Sequence, residues 1–108
     1  MTHPRRALAL AAVSLVIVPA TAVAATRGVS VKDNFYSSKA VTIHKGQTVK
    51  WTWRGKAMHN VTVTKGPSKF RSSTKTKGTF THRFTKKGTY RLVCTIHAPD
   101  MKMTVTVR

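Results

Sequence analysis

The segment Cys94-Thr95-Ile96-His97-Ala98-Pro99-Asp100-Met101 places a thiolate, an imidazole and a thioether within eight residues. These are soft and borderline donors. The set suits copper better than magnesium or calcium, which take hard oxygen ligands. The spacing has a mechanical sense. If Cys94 ends one strand and Met101 begins the next, the loop between them swings His97 round, and three donors can surround one ion. Pro99 stiffens that loop, so less ordering entropy remains to be lost on binding. A fourth donor must come from elsewhere in the chain. His59 is the best placed, because it follows the turn at Arg54-Gly55-Lys56 and opens the run Met58-His59-Asn60-Val61-Thr62-Val63. Two His and one Cys with a weak Met form the trigonal arrangement of copper electron-transfer sites.

The other chemistry-bearing residues have plainer readings. A lone Cys on a strand is more often a small core hydrophobe than a ligand, and here it is the neighbouring His97 that shifts the balance. His44, beside a Gly turn, and His82, on a strand, read as surface or satisfied residues. Trp51 and Trp53 point to the core by parity, Met103 reads as core filler, and Phe70 as a plug under a polar stretch. The two acids, Asp33 and Asp100, stand apart in the chain, so no general acid/base pair is visible. There is no Ser-His-Asp set and no phosphate-binding loop. An enzyme is not expected.

The elements that must position these donors are β throughout. Val-, Thr- and aromatic-rich runs alternate with Gly, Pro, Ser and Asn clusters at short spacing. Strands are expected at Val29–Val31, Ala40–Ile43, Gln47–Trp53, His59–Thr64, Thr79–Phe84, Thr89–Cys94 and Met101–Val107. A polar stretch from Ser68 to Lys77 separates the fourth from the fifth. Val49, Trp51 and Trp53 share one face of their strand; Tyr90, Leu92 and Cys94 share one face of theirs; Met101, Met103, Val105 and Val107 do the same. Half-apolar strands in this number make a two-sheet sandwich or a small barrel, with one shared core and Lys, Arg and Thr outside.

Residues 1–25 read as a secretory signal peptide. Arg5 and Arg6 precede an apolar run from Ala7 to Val18, Pro19 breaks it, and Ala22-Val23-Ala24 offers small residues for a cut after Ala24 or close to it. The run of about twelve apolar residues falls short of the roughly 20 that a spanning helix needs, so no stable membrane insertion is expected after cleavage. One small domain, residues 26–108, remains. A secreted domain of this size commonly relies on disulfides, but Cys94 is the single cysteine, so metal ligation would both explain the thiol and supply the staple. With Arg5 and Arg6 set aside, 18 of the 20 Lys and Arg remain against two acids, a net charge of +16. They are spread from Arg27 to Arg108. Such a field attracts anionic partners, including acidic proteins and cell-surface polymers. No DNA-reading or RNA-stacking motif accompanies it.

The chain resembles the small type 1 (blue) copper proteins, the cupredoxins of the plastocyanin, pseudoazurin and amicyanin kind. The resemblance runs from about Val29 to Val107. Its sharpest parts are His59-Asn60-Val61, Gly88-Thr89-Tyr90 leading to Cys94, and Cys94-Thr95-Ile96-His97 followed by a Met and a Thr-Val-Thr-Val strand. It implies an all-β, two-sheet Greek-key β-sandwich of about seven to eight strands holding one copper. His59 would be the upstream imidazole ligand, Cys94 the thiolate, and His97 the second imidazole, whose edge reaches solvent. Asn60 resembles an asparagine that ties the first ligand strand to the residue after the cysteine, here Thr95. The spacing departs from the family at the axial Met. Amicyanin-like loops put two residues between the second His and the Met, plastocyanin-like loops four. Here three precede Met101 and five precede Met103. Matching Met101-Lys102 to the usual start of the last strand favours Met101, with Met103 as its rival. Met58 stands where the family commonly has Pro.

The function this implies is a secreted, monomeric, extracytoplasmic carrier of single electrons, cycling between Cu(I) and Cu(II) and meeting an acidic redox partner transiently. The alternatives are copper delivery or buffering for an extracytoplasmic oxidase, and a metal-free interaction module on the same fold.

Overall fold

The structure is a computed structural model and describes residues 25–108. The expected signal peptide therefore lies, but for Ala25, outside the described residues. Eight strands are present among them: β1 Thr26–Lys32, β2 Phe35–Tyr36, β3 Ala40–Ile43, β4 Thr48–Trp53, β5 Thr62–Lys65, β6 Thr79–Arg83, β7 Gly88–Val93 and β8 Lys102–Val107. They form two four-stranded sheets, in the orders β2-β1-β4-β6 and β3-β8-β7-β5. This is the all-β sandwich expected from the sequence.

Alternation decides which side chains meet between the sheets, because successive residues of a strand point to opposite faces. In β4, Val49, Trp51 and Trp53 are buried while Lys50 is exposed. In β8, Met103, Val105 and Val107 are buried, and in β7 Tyr90 and Leu92. Register then stacks these faces. β7 and β8 run antiparallel with Leu92 opposite Met103 and Tyr90 opposite Val105. β1 and β4 run parallel with Val29 opposite Trp51 and Val31 opposite Trp53. Trp51 sits at the centre of the core, fully buried, with Phe70, Phe80 and Phe84 rings 5.8 to 6.5 Å away. Phe70 does more than plug a loop. Its ring lies flat on His82, with centroids 3.7 Å apart, so His82 is half-buried on the inner face rather than a surface residue.

Two differences from the sequence reading have local causes. The run from His59 does not pair as a regular strand until Thr62. Side chains have taken the ladder's place there: Val61 N–H donates to Ser72 Oγ, and Thr95 N–H donates to Asn60 Oδ1. The polar stretch expected to be irregular runs back beside this segment, with isolated bridges between His59 and Lys75 and between Thr62 and Arg71. The second difference is β2, which is too short to show alternation. It folds back on β1 through Asn34, whose φ of 75° lies in the left-handed region that Asn tolerates better than most residues.

Candidate metal centre

Cys94 follows directly on β7 and continues its buried face. The loop after it is closed by its own backbone. Cys94 N–H donates to Met101 O (3.0 Å), His97 N–H to Cys94 O (3.1 Å), and both Asp100 N–H (3.1 Å) and Met101 N–H (3.2 Å) to His97 O. These bonds fold Cys94–Met101 into a compact turn that brings His97 back over the cysteine. His97 Nδ1 lies 3.5 Å from Cys94 Sγ.

His59 reaches the same point from the other side. Its backbone is pinned to Lys75 by a reciprocal pair of hydrogen bonds at 3.0 Å, and its carbonyl also accepts from Trp53 Nε1 (3.1 Å). The imidazole is fully buried, with Nδ1 3.9 Å from Cys94 Sγ. Its other nitrogen, Nε2, is 2.9 Å from Asp33 Oδ1. Lys56 N–H and Ala57 N–H also donate to that carboxylate, at 3.0 and 2.9 Å. The His59 bond first, and these two backbone bonds after it, lower the Asp33 pKa to about 2. An ionised carboxylate can only accept, so Nε2 carries the proton and donates it. Nδ1, the nitrogen left over for a metal, faces Cys94.

Asn60 binds the two halves together. Its Nδ2 donates to Thr74 Oγ1 (3.0 Å) and Thr95 Oγ1 (2.8 Å), and its Oδ1 accepts from Thr62 Oγ1 (2.8 Å) and Thr95 N–H (3.1 Å). Its backbone carbonyl accepts from the Tyr36 hydroxyl at 2.7 Å. Burial, and secondarily the nearby Cys94, push the Tyr36 phenol upward, so it stays a donor. Every polar atom of the Asn60 side chain is thus used, as a buried amide requires.

The result is three donor atoms, one each from His59, Cys94 and His97, all within 4.8 Å of one another. His59 and Cys94 are buried and His97 is half-buried. Two imidazoles and one cysteine sulfur converging at one point fit a soft or borderline metal such as copper, and fit a hard oxygen-seeking ion poorly. Met101 is fully buried and follows the loop directly. Met103 is buried two residues on, and its Sδ already accepts the Trp51 indole N–H at 3.3 Å. Met58 and Ile96, each about half exposed, adjoin His59 and His97 in the chain.

In the sequence Asp33 stands as an isolated acid. The structure places it against His59 and beneath the turn that precedes that residue. Sequence separation hid this contact: the partners stand 26 positions apart, and they meet only once the β1–β2 turn packs against the 54–58 turn. Tyr36, Thr74 and Ser72 likewise carry no sequence motif of their own.

With this geometry established, comparison with known proteins decides the family. The sequence profile of the copper binding proteins, plastocyanin/azurin family, matches residues 23–108. The chain belongs to this family. Among solved structures, this cupredoxin is similar to a reduced amicyanin variant at 26% identity, with a TM-score of 0.69, covering 82% of this chain and 88% of that one. It is similar to a Cu(I) form of another amicyanin variant at 28% identity, with a TM-score of 0.69 and the same coverage. A purple cupredoxin from Nitrosopumilus maritimus matches at 27% identity, with a TM-score of 0.66, covering 76% of this cupredoxin and 99% of its own chain. No curated protein sequence matches.

Proposed function

We propose that this cupredoxin is an extracytoplasmic carrier of single electrons, with one copper held by His59, Cys94, His97 and, as a weak axial ligand, Met101. The convergence of two imidazole nitrogens and one thiol sulfur in a buried pocket carries the reading. Copper bound there would supply a Cu(I)/Cu(II) couple. The protein's own part is to hold the donors still. The Asp33 contact fixes the His59 ring, the closed loop fixes Cys94 and His97, and Asn60 locks one to the other. Second contacts of this kind orient ligands and tune a metal. The engagement of Met103 Sδ by Trp51 favours Met101 as the axial donor.

Half-buried His97 is the donor residue closest to solvent, and it is the exit we assign to the electron. Met58 and Ile96 offer apolar contact beside it, within a surface of net positive charge. Among the described residues no Lys or Arg pairs with a carboxylate, so that charge is left free to meet an acidic partner. The sequence features of residues 1–25 support export of the chain. Cyclic voltammetry of the copper-loaded protein tests the function. A reversible one-electron couple with fast electrode kinetics is expected. Irreversible loss of copper on reduction would instead assign the protein to copper handling.

A further inference from the structure

We propose that Asp33 is a positioning residue that holds the copper toward Cu(II) by acting through His59. The proposal rests on the reading that His59 Nδ1 binds copper. Three observations carry it. The Asp33 carboxylate contacts the far nitrogen of the buried imidazole at 2.9 Å. It is seated there by two backbone N–H groups of the preceding turn. That turn has a glycine where it crosses the carboxylate, since a Cβ at Gly55 would overlap the Asp33 side chain and come within 2.9 Å of its backbone nitrogen. The seat is therefore built on both sides.

A carboxylate accepting the Nε2–H pulls that proton toward itself and enriches the ring in electron density. A more basic Nδ1 stabilises the higher oxidation state of a bound metal more than the lower one. The anionic charge acts in the same direction. Asp33 is one of only two acids in the chain, so few other fixed negative charges offset the surrounding lysine and arginine field. The side chain is 42% exposed. Solvent reduces the through-space effect there, while the contact through the ring remains.

A purely structural alternative is that Asp33 only clasps the 54–58 turn. The test compares Asp33→Asn and Asp33→Glu with the parent protein, each loaded with copper. Asn keeps an acceptor oxygen and the size of the side chain but removes the charge; Glu keeps the charge. The expected result is that Asp33→Asn stays blue and its equilibrium moves toward Cu(I) by roughly three- to tenfold, tenfold being about 59 mV for one electron. Asp33→Glu should lie closer to the parent. In the metal-free parent, ¹⁵N-labelled at histidine, a slowly exchanging His59 Nε2–H is expected, and it should exchange faster in Asp33→Asn. A blue parent whose potential and Nε2–H exchange are unchanged in Asp33→Asn overturns this proposal alone. A parent that shows no blue band overturns the copper-site reading and this proposal with it.

Discussion

Asn60 and Thr95 hold each other by two hydrogen bonds across 35 residues of chain, the Asn60 Nδ2 donating to Thr95 Oγ1 at 2.8 Å and the Thr95 N–H donating to Asn60 Oδ1 at 3.1 Å. Each residue directly follows one of the candidate donors His59 and Cys94, so this clasp ties the two donor segments together. Asn60→Ala would remove all four side-chain bonds of a fully buried amide, among them the one from Thr95 N–H. A cost of about 2–3 kcal/mol is expected from the loss of these bonds together. Urea unfolding of the metal-free variant measures it. Thr95→Ser keeps the hydroxyl and should cost much less.

The two methionines are predicted to separate cleanly. Met103→Leu removes the acceptor of the Trp51 indole N–H but keeps the core filled. It should lower stability by about 1 kcal/mol and leave the visible spectrum of the copper form unchanged. Met101→Leu should leave stability within about 1 kcal/mol and change the spectrum and potential, because it removes a donor and little volume. Spectral change in Met103→Leu with none in Met101→Leu would reverse the axial assignment.

Much of this architecture was legible in the sequence because period-2 alternation reports burial directly. Val49, Trp51 and Trp53, and likewise Tyr90, Leu92 and Cys94, lie on the faces their parity assigned. The Cys94–Met101 segment was legible because its donors are local. What the sequence hid was contact between distant segments. Asp33 looks idle in sequence because its partner is His59, and the choice between surface and satisfied for His82 stays open there because the ring that covers it, Phe70, comes from the polar stretch. The loss of regular pairing before Thr62 was hidden too, since it depends on the Asn60 and Ser72 side chains reaching across to backbone groups.

His82 predicts a pH dependence of folding. Burial lowers its pKa from the ordinary 6.5, and its ring is stacked on Phe70 with Phe84 edge-on at 4.9 Å. The facing residue on β4 is the uncharged Val49, while the cations Lys50 and Arg83 lie on the outer face. The folded state therefore disfavours the charged ring more than the unfolded state does. The contribution of His82 is fully present above about pH 6.5 and is lost as pH falls from there toward the lowered folded value. Urea midpoints of the parent and His82→Gln, followed from pH 8 to pH 5, should converge on the acid side. Curves that stay parallel would show that the stacked ring titrates normally.

The free positive charge predicts salt-sensitive association. The rate of electron transfer to an acidic partner protein should fall steeply as ionic strength rises past about 0.1 M, where the screening length is about 10 Å. Stopped-flow rates with an acidic and a basic redox protein, compared at several salt concentrations, measure this. A rate indifferent to both salt and partner charge would show that the strong positive field has no part in docking.

The most direct test of the central claim is the visible absorption spectrum of the protein with added Cu(II), recorded beside Cys94→Ala. Convergence of Cys94 Sγ with the His59 and His97 nitrogens predicts an intense band from thiolate-to-copper charge transfer, present in the parent and absent from the variant. Copper bound with no such band, or a band that survives the loss of Cys94, would contradict the assignment of these residues as a type 1 site.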